Sequence, residues 1–248
     1  MRRIISLLYA LLTAAPAFAQ QTIAPGDASL RPDRVRPFTD TLVILFAPRD
    51  SAQRVYGTLV RRIERTQSNG MPIFRETQHY TLESGDEVDT LDVSAATLAP
   101  LRVVEVGVKS RHTIELNGAR LTGTVWSADS GEQAIDAALP RPFFHGMMTE
   151  AFIAALPFSG GSTTRFPVAE TPRPDVRMAE FRVTGSARVQ TATGPVDCFV
   201  VQESKVTTGW VSKADGHLVR LHWVLPNGTD VWKLPRRDVP YLKGVDAS

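Results

Sequence analysis

The stretch Phe143-Phe144-His145-Gly146-Met147-Met148-Thr149-Glu150-Ala151-Phe152-Ile153-Ala154-Ala155-Leu156 decides how the rest of the chain is read. Met148, Phe152 and Leu156 recur every four residues, with Met147, Ala151 and Ala154 beside them, which predicts one broad apolar stripe on a helix over 143–156. Pro157 ends it, since proline has no amide hydrogen to continue the ladder. A lone apolar helix must be covered by a sheet, because nothing else in the chain can bury it.

On both sides of this stretch the pattern changes to alternation. From Gln53, the residues Val55, Gly57, Leu59, Arg61 and Ile63 fall on one face, with Tyr56, Thr58, Val60 and Arg62 on the other. Asn69-Gly70 marks a hairpin, and Ser84-Gly85-Asp86, Asn117-Gly118, Ala214-Asp215-Gly216 and Pro226-Asn227-Gly228 mark further turns. The spacing predicts about eleven to thirteen strands in a mainly β fold. Its large antiparallel sheet is curved into a half-barrel and wraps around the one central helix. A flat sheet of that size would leave its apolar face and edges exposed.

The chain divides into four parts. Arg2 and Arg3, the apolar run Ile4 to Ala14 and the small-x-small motif Ala17-Phe18-Ala19 make residues 1–19 a cleavable export signal. Residues 20–38, rich in Pro, Asp and Arg, read as an extended and partly disordered leader. A single β domain follows over 39–236, and a tail over 237–248. With no cysteine at the cleavage point, lipid attachment there is not expected, and the product is expected to be periplasmic or secreted. No later stretch is long and apolar enough for a membrane span.

Charge and chemistry exclude more than they assign. Beyond the signal the chain carries 26 basic and 26 acidic residues, so net charge argues for no nucleic-acid partner. Cys198 is the only cysteine, and its run Cys198-Phe199-Val200-Val201 reads as a buried inert thiol. There is no Gly-x-Ser-x-Gly elbow, and Asp40-Thr41-Leu42 and Asp89-Thr90-Leu91 lack the glycine of an aspartic-protease loop. Asp86, Glu87, Asp89 and Asp92 lack calcium-loop spacing and read as a solvated turn and strand edge. None of the five histidines forms a His-x-His or His-x-x-x-His pair. No cofactor, metal ligand or catalytic residue is expected, and His145 is the histidine nearest a possible groove.

A set of short motifs carries a resemblance. Ala155-Leu156-Pro157-Phe158 with Gly160-Gly161, Gly209-Trp210-Val211-Ser212-Lys213, and Thr97-Leu98-Ala99-Pro100-Leu101-Arg102 look like those of an uncharacterised family of exported bacterial β-rich domains. That family is similar in fold to the LolA-like periplasmic lipoprotein carriers. The resemblance spans about residues 40–235 and implies a curved antiparallel sheet around helix, with an apolar cavity for acyl chains.

Two functions follow as expectations. The first is a non-enzymatic exported protein holding a hydrophobic or lipid-like ligand against the concave face. Phe143, Phe144, Met147, Met148, Phe152, Trp210 and Trp223 would form the wall, because methionine and aromatic side chains accept irregular apolar shapes. The second is an envelope scaffold or assembly protein in which the same residues only fill the core, and whose sheet edge meets an envelope protein partner.

Overall fold

The computed structural model describes residues 20–49, 52–148, 152–173, 175–203 and 205–242. The segment read as an export signal, 1–19, lies outside these. Among the described residues, sixteen strands form one open sheet. The N-terminal series is β1 (Gln20–Thr22), β2 (Phe38–Ala47), β3 (Arg54–Ser68), β4 (Met71–Leu82) and β5 (Gly85–Ser94). It continues with β6 (Pro100–Val106), β7 (Ser110–Asn117), β8 (Arg120–Ser127), β9 (Gly131–Ala138) and the two-residue β10 (Phe144–His145). The C-terminal series is β11 (Thr163–Ala169), β12 (Arg177–Thr191), β13 (Gly194–Gln202), β14 (Thr207–Ser212), β15 (Leu218–Val224) and β16 (Asp230–Pro235).

Alternation accounts for the strands. In β3, Gly57, Leu59, Arg61 and Ile63 are buried while Val60 and Arg62 are exposed, which is the period of two that a half-buried strand requires. Asn69 and Gly70 both take positive φ, 50° and 78°, and join Ser68 to Met71 in the tightest of hairpins. The count exceeds eleven to thirteen partly because two strands sit where none was expected. One, β1, lies in the leader, and the other, β10, in the presumed helix.

Two meanders, β2–β9 and β11–β16, meet where β16 pairs antiparallel with β2, setting Trp232 opposite Leu45 and Leu234 opposite Val43. The strands joined by the connection after β9 therefore lie near opposite edges of the sheet, β9 at one edge and β11 beside β1 at the other. The connection crosses the inner face with its described residues, 139–148 and 152–162. This explains their apolar composition. Phe143, Phe144, Phe152, Ile153 and Leu156 are buried in one cluster with Ile63, Leu91 and Ile114 from the first meander and Phe166, Phe181 and Val201 from the second.

The helix expected over 143–156 is found only in part: Phe152 has α-helical backbone, with φ −68° and ψ −24°, and the described residues around it take other forms. Phe144 and His145 pair in parallel with Val168 and Ala169 of β11, Gly146–Met148 and Ile153–Ala155 are 3-10 turns, and Leu156 is extended as a residue before proline should be. Thr149, Glu150 and Ala151 lie outside the described residues. The Phe144 and Phe152 rings are tilted by 35° with centroids 4.4 Å apart, and both meet Phe166 edge-on at 6.0 Å. Sheet pairing and ring packing outweigh the helical period here, because neither contact is local in sequence.

The leader is also corrected. Ile23, Leu30 and Val35 are buried, Arg31 N–H donates to the Ala155 carbonyl at 3.0 Å, and β1 pairs in parallel with β11. The expected tail contributes a 3-10 segment, Arg236–Leu242, whose Val239 and Leu242 cover a second apolar cluster on the opposite face of the sheet. That cluster holds Val43, Leu45, Cys198, Trp210 and Trp232. Cys198 is fully buried there and burial pushes its thiol up to about 11, in line with an inert residue. No helix among the described residues is long and apolar enough to cross a membrane.

Candidate functional site

Six consecutive strands place one polar residue each at the same level of the inner face. Asp40 on β2 is opposite Arg61 on β3, which is opposite Gln78, then Asp89, Glu105 and His112 on β4 to β7. Each occupies the position that alternation reserves for a core side chain, next to Ile63, Leu91, Val103 and Ile114. Arg61, Gln78, Asp89 and His112 are buried, so each requires a partner.

Most have one. Arg61 forks onto Asp40, with Nη2–Oδ2 at 2.8 Å and Nε–Oδ1 at 3.3 Å, and its guanidinium lies 5.0 Å from the Phe38 ring centre. Gln78 Nε2 donates to Glu76 at 2.6 Å and its carbonyl accepts from Tyr80 OH at 2.5 Å. His112 Nε2 is 3.2 Å from both Glu105 Oε2 and Thr171 Oγ1. Asp89 is satisfied only in part, because its carboxyl bonds Glu87 while its Oδ1 has no hydrogen-bond partner among the described residues. Burial, then the charges of Glu105 and Glu87, push its carboxyl up to about 8, so it is protonated at neutral pH.

The crossover closes over this row. His145 Nε2 lies 3.1 Å from Thr171 Oγ1 and 3.3 Å from Thr171 N, and its Nδ1 faces the Met147 amide at 3.3 Å. Two amides thus compete for the single acceptor of a neutral imidazole, and protonation would remove even that. Burial holds His145 down at about 4, with His112 adding to the effect and Glu105 opposing it. A cavity of about 300 Å³ opens here, lined by Gln78, Tyr80, Glu105, His145 and Thr171. Gly146 admits Glu170 to its wall, since a Cβ there would lie 2.8 Å from Glu170 Cγ. No group of three or more His, Cys, Asp or Glu among the described residues is disposed to hold a metal ion.

A larger cavity, about 390 Å³, lies on the other side of Arg61 at the end of the sheet. Val35, Phe38, Val196, Leu218 and Val219 supply its apolar wall, and Arg34, Arg36 and Arg237 its charge. Arg61 lines this cavity and its cross-strand partner Gln78 lines the smaller one, so the polar row joins the two.

The residues expected to form a ligand wall are brought together only in part: Phe143, Phe144, Phe152 and Met147 share the inner-face cluster, and the two tryptophans lie apart from it. Phe143, Phe144 and Phe152 are at most 1% exposed and are packed core. The cavities lined by Ile153 and by Phe152 measure only about 80 and 20 Å³. Met147 lines the 300 Å³ cavity, and the side chain of Met148 lies outside the described residues. Trp210 belongs to the opposite face, where it stacks on Trp232 at 5.7 Å, and Trp223 is half-buried opposite Thr207 and Val231. Nor is the acidic group all solvated. Asp86 is exposed, but Asp89 is buried in the polar row, and Asp92 is buried under a fork from Arg75 at 2.6 and 2.7 Å. His222 is buried as well, stacked on Trp232 at 4.2 Å and 2.8 Å from Asp230 Oδ1. The overlooked signal was a polar residue in phase with apolar ones, as in Leu59-Arg61-Ile63 or His112-Ile114-Leu116.

A family model described as "Protein of unknown function (DUF3108)" matches residues 57–234, well over half of the chain. The chain belongs to the DUF3108 family. No curated protein matches the sequence. The DUF3108 segment begins in β3 and ends in β16, so it contains the crossover, the polar row from Arg61 to His112, and Val196, Leu218 and Val219 of the larger cavity. Arg34, Arg36, Phe38, Asp40 and Arg237 fall outside it.

Proposed function

We propose that this DUF3108 protein is an exported, non-enzymatic binding protein for a hydrophobic or lipid-like ligand. Its half-barrel sheet would then play the part it plays in LolA-like carriers. The concave face is filled by the crossover, so the ligand belongs in the cavity at the end of the sheet. The observation that carries this reading is the cavity itself. At about 390 Å³ it lies within the ~300–1,000 Å³ range of small-molecule sites, and Val35, Phe38, Val196, Leu218 and Val219 give it an apolar wall. Its size suits a single chain or small amphiphile.

Titration with the neutral fluorescent probe N-phenyl-naphthylamine tests the reading. Saturable binding is expected, displaced by long-chain amphiphiles. Thr193→Trp, placed on the exposed β12–β13 turn beside the cavity, should block it without disturbing the core. Absence of saturable binding, or unchanged binding in Thr193→Trp, would overturn the assignment. The scaffold reading draws on one observation, the close filling of the core around Phe144 and Phe152, and it gains if no amphiphile binds.

A further inference from the structure

We infer that the ligand of the larger cavity is an anionic amphiphile, with a carboxylate or phosphate head on Arg34, Arg36 and Arg237 and its chain against Val35, Phe38, Leu218 and Val219. The inference rests on the binding reading above and adds the chemical class of the ligand.

The charges around the cavity sort into two groups. Arg61 is 3% exposed and forked onto Asp40. Asp215 bonds His217 Nδ1 at 2.6 Å, and Asp238, buried, accepts the Ala192 amide at 2.8 Å. Every acid of the lining therefore has a partner within the protein. Arg34, Arg36 and Arg237 remain. All three are exposed, and none has an ion-pair partner among the described residues. They come from opposite ends of the chain, the segment before β2 and the segment after β16, and meet on one cavity. Guanidinium groups match carboxylate and phosphate oxygens in a planar fork, and they stay charged at any physiological pH. A neutral head would forgo these bonds and a cationic head would be repelled. The apolar wall is supplied by residues inside the DUF3108 segment together with Val35 and Phe38, whereas all three arginines lie outside it. Head-group preference is accordingly set by the flanks of this chain.

Displacement of N-phenyl-naphthylamine by a matched series tests the inference: dodecanoate, dodecyl phosphate and dodecanol. The acid and the phosphate should displace the probe at roughly tenfold lower concentration than the alcohol, or lower still, as expected of charge-assisted hydrogen bonds. The triple variant Arg34→Gln, Arg36→Gln, Arg237→Gln should erase that difference while leaving the alcohol's affinity unchanged, and the corresponding triple Lys variant should keep most of it. Equal displacement by acid and alcohol in the native protein, or a preference that survives the Gln triple, would overturn the head-group assignment and leave the cavity reading standing. Failure of every chain to displace the probe, or of the probe to bind, would overturn both. Inorganic phosphate binding as tightly as dodecyl phosphate in calorimetry would make this a free-anion site and overturn the amphiphile.

Discussion

His112 Nε2 lies 3.2 Å from Thr171 Oγ1, although β7, which holds His112, and β11, which ends two residues before Thr171, are eleven steps apart across the sheet. In a flat sheet, strands 4.7–4.9 Å apart would separate them by roughly 50 Å. The sheet therefore curls until its two meanders almost meet, and the Thr171 hydroxyl, with His145 3.1 Å away, stands at the meeting point. Thr171→Val keeps the shape and removes the hydroxyl, so two buried hydrogen bonds are lost, with only Glu105 left to His112 Nε2 and only the Thr171 amide to His145 Nε2. A loss of about 1–3 kcal/mol in urea unfolding is expected, with Thr171→Ser close to the native protein. Equal stability of the Val variant would show that the bridge holds nothing.

Asp89 and His145 make opposite contributions to the pH dependence of stability. The Asp89 carboxyl, raised from 3.8 to about 8, favours the fold most below pH 3.8 and loses that contribution as pH rises to about 8. His145, lowered from 6.5 to about 4, contributes most above pH 6.5 and loses it as pH falls to about 4. Their slopes cancel between about pH 4 and 6.5, and the Asp89 slope acts alone from there to about 8. Stability should fall by about 2 kcal/mol across that upper window and stay level in Asp89→Asn. Urea titrations at stepped pH read this directly, and parallel curves for the two proteins would contradict it.

Phe152 holds the crossover in place. It is 1% exposed and touches two aromatic rings, Phe144 from the crossover and Phe166 from β11. Phe152→Ala should cost about 3–5 kcal/mol, whereas Met71→Ala, at an exposed β4 position, should stay within about 0.5 kcal/mol. Comparable melting temperatures for the two variants would remove the crossover from its structural role.

Gly216, in the β14–β15 turn, has φ +78°, and a Cβ added there would lie 2.9 Å from Ala154 Cα. Left-handed backbone and contact with the crossover both require glycine. Gly216→Ala should therefore lower stability by about 1–3 kcal/mol, more than an exposed substitution such as Gly160→Ala, whose Cβ meets nothing.

Cys198 gives a simple probe of the outer cluster. Buried and with its thiol raised to about 11, it should react with Ellman's reagent only on unfolding. Rapid labelling in native buffer would show that the cover provided by Arg236–Leu242 opens freely.

How far the sequence could be read depends on the range of the interaction concerned. Alternation such as Leu59-Arg61-Ile63 and turn signals such as Asn69-Gly70 are local, so the β character and most strand positions were legible. Lys/Arg balance and the lone Cys198 likewise needed no structure. In the 143–156 stretch the period of four overstates the length of the helix, because it is a local signal while Phe144 and His145 answer to β11 and Phe152 to Phe166. The leader misled for the same reason: Ile23 and Val35 are too sparse to show a period, yet both have core to bury against.

By itself, then, the sequence determined a large antiparallel meander with an apolar connection that had to be covered. Only the tertiary structure decided that β16 joins β2, that the crossover fills the concave face, and that Asp40, Arg61, Gln78, Asp89, Glu105 and His112 share one row. It also decided that Arg34, Arg36 and Arg237 share one cavity. The physical reason is register. Which residues of different strands stand side by side depends on how the strands pair and how tightly the sheet curls, and no window along the chain contains that information.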